Sequence, residues 1–270
     1  MTFDLEACRF HFLARDAIHF RPGLAGNVLR GALGSILRKI TCAEDYSRIF
    51  EPVSPVLAAG AGPSGLADWP RPFVIRAASL DGKTLKPGDP FSFGLNLFDI
   101  RNPAIEHFTR AFAQWAHLVS VEHSRVVVDL SPGSGPVSRI RVEFQTPTEL
   151  KAADGNPSDF PVLLARARDR LSTLRSLYGA GPLEIDFRAL AERARSVKTV
   201  RCELQQVTVG RRSSRTGQRH GIGGFIGVAE YEGDLAEFVP YLQAAYWTGV
   251  GRHCTWGNGE IHTAILNSEF

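Results

Sequence analysis

A glycine-rich segment near the C-terminus, GVGRHCTWGNGEIH at 249–262, combines guanidinium, imidazole and indole side chains. Glycine permits positive φ and lets the backbone approach a ligand closely, arginine pairs with phosphate, and an aromatic ring stacks on a base. The segment therefore predicts binding of phosphates or bases; the alternative is a tight connection in which Trp256 only covers a core. Its candidate residues for such binding are Gly251, Arg252, His253, Trp256, Gly257 and Gly259.

A second cationic segment, GRRSSRTGQRHG at 210–221, lies in a stretch from Leu204 to Ala229 that contains no Asp or Glu. Arginine forks and hydroxyl groups both donate to phosphate oxygens, so the segment predicts contact with a phosphate backbone, although such runs are also typical of solvated loops. Its candidate residues are Arg211, Arg212, Arg215, Arg219 and His220.

A third cationic stretch runs from Asp16 to Glu44 and contains no acid between these two residues. Pro22 precedes apolar residues at helical spacing, which predicts an amphipathic helix with a cationic outer face. Arg30 and Arg38 are candidate RNA contacts on that face.

The secondary-structure elements that must position these segments are predicted in the same order in the two halves of the chain. In the first half, the hydrophobic periodicity predicts βαββαβ, and His117 and His123 flank the connection before the closing strand as structural or exposed residues. The predicted elements are a strand at 3–18, a helix at 24–40, strands at 72–79 and 91–98, a helix at 103–118 and a strand at 125–130.

The second half predicts the same order, with a hairpin connector at 210–221 and a capping box of Asp234 and Glu237 opening the last helix. The predicted elements are a strand at 138–145, helices at 160–179 and 187–197, strands at 200–209 and 223–231, a helix from 235 and a strand at 259–266. We therefore predict an α+β fold of tandem ferredoxin-like (RRM-like) domains, at 1–135 and 136–270, divided near the linker SPGSGP at 131–136.

This order excludes a dinucleotide site, because the glycine-rich segment follows a helix and precedes a strand, the reverse of the dinucleotide fingerprint. The four cysteines are scattered without a CxxC pair, which argues against a zinc knuckle and favours reduced thiols. No apolar run is long enough to span a membrane. A net charge of +3 permits a nucleic-acid partner without requiring one. We expect a cytoplasmic protein with no metal and no cofactor.

Five segments in order resemble one family: GNVLRGALGSILRKI, FSFGLNLF, VEFQTPTELK, RSSRTGQRHGIGGFIGVAEYEGDL and GVGRHCTWGNGEI. Together they resemble the CRISPR-associated repeat-RNA processing endoribonucleases of the RAMP superfamily, the type with a C-terminal glycine-rich loop. The resemblance implies a protein that binds the repeat of a CRISPR transcript (precursor crRNA) and cuts it without metal to give guide RNAs. It also implies that the glycine-rich segment belongs to the RNA-binding surface.

The implied reaction is attack of a ribose 2′-hydroxyl on the adjacent phosphate, which leaves a 2′,3′-cyclic phosphate and a 5′-hydroxyl. It needs in-line geometry, a base, an acid and a cation for the developing charge. The family often takes its base, a histidine, from the region of the first helices, yet residues 24–60 contain none. The resemblance then points to His19, Lys39 and Tyr46 as candidate catalytic residues. His220 and His253 remain open as either catalytic groups or stacking contacts.

Two function classes stay open on this sequence. The first is the endoribonuclease acting on CRISPR repeat RNA, as a monomer or homodimer. The second is a non-catalytic RNA-binding RAMP subunit of a CRISPR effector complex, which the histidine-free first helix favours and which implies other effector subunits as partners. A small-molecule enzyme has no support, since the sequence contains no paired-carboxylate, Ser/His/Asp or phosphate-loop pattern in the required context.

Overall fold

The computed structural model describes residues 1–52, 69–151, 156–212 and 219–266, without the side chains of 209–222. Its first sheet is antiparallel, with strand order β3–β5–β1–β6. The strands are β1 (Thr2–Leu13), β3 (Phe73–Arg76), β5 (Pro90–Leu97) and β6 (His117–Asp129), and a short ribbon pairs β2 (Ile18–His19) with β4 (Thr84–Leu85). The helices of this half are α1 (Ala25–Ile40), α2 (Ala43–Phe50) and α3 (Ile105–Trp115).

The second sheet repeats the topology, with strand order β10–β7–β9–β8. Its strands are β7 (Arg139–Thr148), β8 (Lys198–Arg212), β9 (Arg219–Glu232) and β10 (Ile261–Ile265). The helices are α4 (Phe160–Tyr178), α5 (Phe187–Ala194) and α6 (Val239–Thr248). In both sheets the first and third main strands of the βαββαβ unit are central and the fourth lies beside the first. The predicted fold class, two ferredoxin-like units in tandem, is confirmed.

The strand periodicity of β1 explains how the two halves are layered. Phe10 and Phe12 point to one face of the sheet and pack with α1 and α3, where Phe10 lies opposite Phe93. Phe3 and Leu5 point to the other face and join the core formed by α4, α6 and the second sheet. The molecule therefore has four layers in this order: helices α1 and α3, the first sheet, helices α4 and α6, and the second sheet. The predicted boundary between residues 135 and 136 stays a prediction.

Helix α6 occupies the middle of this stack, which accounts for its composition. Its sequence VPYLQAAYWT is apolar around most of its circumference, and seven of its ten residues are buried. A helix that is apolar on all sides needs cover on all sides. In contrast, α1 buries only one face and presents Arg38 and Lys39 to solvent.

Three details of the predicted elements were wrong. His117 and His123 lie inside β6, which begins at His117, directly after α3, so they are strand residues on an edge. Asp234 and Glu237 do not form a capping box: α6 begins at Val239, no side chain caps it, and the Glu237 carboxylate instead accepts hydrogen bonds from Arg193.

The third error is the length of the hairpin connector. Backbone pairing of β8 with β9 continues through Arg211 with His220 and Arg212 with Arg219. Residues 210–212 and 219–221, which were predicted as parts of the loop, are therefore strand. Residues 213–218 lie outside the described residues. No helix in the described part of the chain is long and apolar enough to cross a membrane.

Candidate nucleic-acid interface

The glycine-rich loop, residues 249–260, begins at a helix end that is tied to both halves of the chain. The last carbonyls of a helix have no partner within the helix. In α6 the carbonyl of Tyr246 accepts from Arg76, that of Trp247 from Asn96 (2.8 Å), and that of Thr248 from Arg170 (2.8 Å). Arg76 and Asn96 belong to the first sheet, so the start of the loop is fixed relative to that sheet.

Arg76 is the buried charge at this helix end. Its side chain is 12% exposed, and its guanidinium lies 3.7 Å from the Glu260 carboxylate at the far end of the loop. Burial lowers the pKa of Arg76, while the charge of Glu260 opposes that shift. A cation at a helix C-terminus is also stabilised by the helix dipole. Arg76 thus links α6, the loop and strand β3.

The loop folds back on itself and rests on the end of β7. The Val250 amide donates to the Gly259 carbonyl (2.9 Å), and the Arg252 amide donates to the Glu149 carbonyl (3.0 Å). Gly259 has φ of +70°, and a Cβ there would lie 2.0 Å from the Val250 carbonyl oxygen. Here the glycine is required both by its backbone conformation and by close approach of another backbone.

The tip of the loop crosses to the first half and contacts α1. A Cβ on Gly26 of α1 would lie 2.3 Å from the Trp256 carbonyl oxygen, so only glycine permits this contact. The Arg30 guanidinium, one helical turn later, lies over the Trp256 ring at 5.5 Å and over the Phe50 ring at 4.8 Å. The structure thereby brings together two of the sequence-predicted groups, the first helix and the glycine-rich loop.

His253 has an unusual backbone for its residue type. Its φ of +61° is the only positive value at a non-glycine position among the described residues. Such a conformation costs about 1 kcal/mol or more outside glycine. The imidazole stacks on Trp256, with ring centroids 4.3 Å apart, and its Nε2 lies 3.8 Å from the Glu149 carboxylate. Arg252 pairs with that same carboxylate at 2.7 Å.

A second group of predicted residues meets between α1 and α2. The Arg38 guanidinium donates to the Tyr46 hydroxyl (3.3 Å) and to the Glu51 carboxylate (3.2 Å), and the Tyr46 hydroxyl donates to Glu51 (3.4 Å). The hydrogen bond with Tyr46 is the main reason that the pKa of Arg38 is raised. Lys39, the next residue of α1, is exposed. This cluster offers cationic donors at the surface.

His19 lies apart from that cluster, on the β2–β4 ribbon. Its ring is exposed, and Nδ1 is 2.8 Å from the Thr84 hydroxyl. No contact found in the described part of the chain joins His19 to Lys39 or Tyr46. Tyr46 bonds to Arg38 and Glu51 rather than to Lys39, so no hydrogen bond or ion pair in the described part of the chain joins any two of the three predicted catalytic residues.

The predicted residues of the basic hairpin are described only in part. The backbones of Arg211, Arg212, Arg219 and His220 lie at the ends of β8 and β9, but their side chains fall outside the described set. Arg215 lies wholly outside the described residues. The hairpin strands are the longest in the second sheet.

The open face of the second sheet carries an arginine cluster that the sequence analysis missed. Arg139, Arg141 and Arg201 all pair with the Glu230 carboxylate, at 2.7, 2.8 and 3.3 Å. The carboxylate is only 3% exposed, yet guanidinium groups rather than apolar atoms surround it, and they lower the pKa of Glu230 to about 2. Alternation of charged with apolar residues in SRIRVEFQ was the available signal for this face.

Glu149 is the other residue that the sequence analysis missed, although it lies within the segment VEFQTPTELK. It pairs with Arg252 and His253 of the loop. Within the described residues, no group of three or more His, Cys, Asp or Glu side chains is placed to hold a metal ion.

Two family models match the chain, one on each half. Residues 3–130 match a model described as an N-terminal domain (AF_1859_N). Residues 142–261, which include β7, the hairpin strands and the glycine-rich loop, match the model of the CRISPR-associated endoribonuclease Cas6. Residues 142–261 thus match a Cas6 endoribonuclease domain. The resemblance to the repeat-RNA endoribonucleases is thereby confirmed, whereas the individual roles of loop residues stay predictions.

Solved Cas6 structures share the fold over nearly the whole chain. Thermus thermophilus Cas6 aligns with a TM-score of 0.60 at 14% identity, covering 98% of this chain and 99% of that one. A Cas6 product complex aligns with a TM-score of 0.58 at 15% identity, covering 97% and 99%. A partial Cas6-RT-Cas1–Cas2 complex gives 0.62 at 13% identity, covering 97% of this chain and 46% of that one. No curated protein matches by sequence.

Proposed function

We propose that this Cas6-type protein cleaves CRISPR repeat RNA to release guide RNAs, without a metal ion and with a 2′,3′-cyclic phosphate product. The observation that carries the proposal is the match of residues 142–261 to the Cas6 endoribonuclease family. That range contains the loop that reaches the cationic first helix, so a surface for RNA would be shared by both halves.

Placement of charge supports an RNA partner. Arg30 and Arg38 are on α1, Arg252 is in the loop, and no acid lies between Asp16 and Glu44 or between Leu204 and Ala229. Neutralising phosphates with such side chains supplies sequence-independent affinity. Among the solved Cas6 structures with this fold, two are product complexes and two are complexes that contain Cas1 and Cas2. By analogy, RNA and further CRISPR proteins are the partners we propose.

The reaction would start with the 2′-hydroxyl of one nucleotide in line with the bond between phosphorus and the 5′-oxygen of the next. The P–O2′ bond forms as the P–O5′ bond breaks, and cations stabilise the charge that grows on the phosphate. The pair Lys39 and Tyr46, with Arg38, offers one set of groups on the helices, and His19 is the candidate on the ribbon. The loop histidine His253 is a further candidate.

The test is incubation of the purified chain with a labelled cognate repeat RNA in EDTA, beside the same RNA with a 2′-deoxyribose at the cut site. Cleavage of the first and not of the second, with a cyclic phosphate end on the product, is the expected result. Cleavage of the deoxy RNA would contradict 2′-hydroxyl attack, and dependence on added Mg²⁺ would contradict metal independence.

A second candidate function is an RNA-holding subunit without cleavage. The observation that favours it is the lack of any histidine on α1 and α2. Tight binding of several cognate repeats without cleavage, under conditions in which another Cas6 protein cuts its own repeat, would decide for this function.

A further inference from the structure

We propose that His253 is the general base of the cleavage, held in place by Glu149 as a positioning residue. This inference rests on the proposed function. His253 lies where the glycine-rich loop meets α1, since its ring stacks on Trp256 and the guanidinium of Arg30 from α1 lies over that indole.

The backbone gives the first argument. Gly249, Gly251, Gly257 and Gly259 of the loop all have positive φ, and His253 is the one other loop residue in this region, at +61°. Glycine would adopt that conformation without strain. Because the four other loop residues with positive φ are all glycines, a histidine at position 253 indicates that the side chain, rather than the turn, is what the position provides. Strained residues of this kind cluster at functional sites.

The surroundings give the second argument. Glu149 approaches His253 from the end of β7, Arg252 pairs with Glu149 within the loop, and Arg30 faces the indole from α1. A carboxylate beside an imidazole orients it and stabilises the imidazolium formed when it takes a proton. The two arginines provide positive charge nearby for the phosphate. The His253 side chain is 25% exposed, so a ribose hydroxyl can reach it.

In the proposed step the imidazole takes the proton of the 2′-hydroxyl while its oxygen forms the bond to phosphorus. The bond from phosphorus to the 5′-oxygen breaks, and that oxygen takes a proton from a water molecule. The hydroxide formed in this way removes the proton from the imidazolium. The water molecule is thereby regenerated, only RNA is consumed, and His253 returns to its neutral state.

The test compares single-turnover cleavage by the full chain with His253→Asn, His253→Gly and, as a matched control, His123→Asn. Asparagine tolerates the left-handed backbone but is not a base. His123 also lies near a glutamate, Glu6 at 3.9 Å, but on the edge strand β6. We expect H253N to lose about 100-fold or more in rate, as for loss of a general base, while it binds the 2′-deoxy RNA like wild type. H123N should stay within about threefold.

Two further measurements separate catalysis from structure. Added imidazole should restore cleavage by H253G, because glycine leaves the loop backbone unstrained and vacates the position of the ring. Glu149→Gln should move the acidic limb of the rate–pH profile to lower pH, because removal of the carboxylate disfavours the imidazolium. An unchanged limb would overturn the role of Glu149.

Cleavage by H253N at the wild-type rate would overturn the assignment of His253, as would equal losses of binding and cleavage in H253N, which would make His253 a contact residue. Failure of the proposed function is distinguishable, since the wild-type chain itself would then not cut.

Discussion

The two halves of the molecule differ in the length of one equivalent connection, the one between the last helix and the last strand of each half. In the first half, a single residue, Ala116, separates α3 from β6. In the second half, residues 249–260 separate α6 from β10, and these fold into the glycine-rich loop that reaches α1. Because both connections join equivalent elements of the same fold, neither the topology nor chain closure requires the longer one. We propose that the longer loop serves RNA binding.

The two sheets also differ in how their faces are covered. The first sheet is packed on one face by α1 and α3 and, through Phe3 and Leu5, on the other by the core of the second half. The second sheet packs its helices on one face and presents Arg139, Arg141 and Arg201 on the other. The open face of the second sheet thus carries arginine side chains, while the first half contributes one cationic helix, α1.

Among the substitutions that test this difference between the halves, Gly259→Ala is expected to have the largest effect, which is on the free energy of unfolding. A Cβ at Gly259 would lie 2.0 Å from the Val250 carbonyl oxygen in a backbone at φ +70°, so the closed loop cannot form without displacement of main chain. We expect a loss of about 3 kcal/mol in the free energy of unfolding, measured by urea titration. Gly133→Ala, in the linker with no atom within 4 Å, is the control and should change stability by less than about 0.5 kcal/mol. Equal effects of both would show that the loop is not rigid.

A smaller effect is expected where the loop meets the first half. Gly26→Ala places a methyl group 2.3 Å from the Trp256 carbonyl oxygen, whereas Gly31→Ala on the same helix meets nothing within 4 Å. We expect G26A to destabilise by about 1–3 kcal/mol and to weaken RNA binding. G31A should stabilise by up to about 1 kcal/mol, since alanine is the better helix former. Stabilisation by both would contradict the contact between the loop and α1.

Much of the scaffold could be predicted from the sequence, because hydrophobic periodicity reports burial directly. Alternation in FSFGLNLF predicted β5, and the spacing of Leu29, Leu33 and Leu37 predicted α1. The capping box at Asp234 was wrong for a physical reason: the start of α6 is determined by burial between two sheets, and Glu237 finds Arg193 as a partner instead.

The candidate site was less accessible to sequence reasoning. Glycines and arginines in the loop suggested a ligand, but contacts between Gly26 and Trp256, or between Glu149 and His253, join residues more than one hundred positions apart. No local pattern reports such pairs. His19, Lys39 and Tyr46 came from a resemblance, and no hydrogen bond or ion pair among the described residues joins these three side chains: His19 bonds to Thr84, and Tyr46 bonds to Arg38.

The basic hairpin provides a test with a smaller expected effect. Replacing Arg211 and Arg215 by Ala should weaken RNA binding by about tenfold for all repeats and lower the slope of log K against log salt by about one for each phosphate that is no longer neutralised. The control replaces Arg125 and Arg195, two exposed arginines paired with Asp4 and Glu192, and should leave the slope unchanged. An unchanged slope in the hairpin variant would place the RNA path outside the hairpin.

The smallest effect at neutral pH is expected from Glu230→Gln, because its three arginine partners are 43–44% exposed and remain hydrated without it. The arginines lower the pKa of Glu230 from 4.5 to about 2, so the ionised carboxylate stabilises the folded state above about pH 4.5, and this contribution is lost as the pH falls towards 2. The difference in unfolding free energy between wild type and E230Q should therefore be constant from pH 7 to 5 and shrink below pH 4.5. A difference that does not change with pH would show that Glu230 acts through packing rather than charge. In that case the three arginine side chains would be held in place by contacts other than those with the Glu230 charge. Their positive charge on the open face of the second sheet would then not be offset by Glu230.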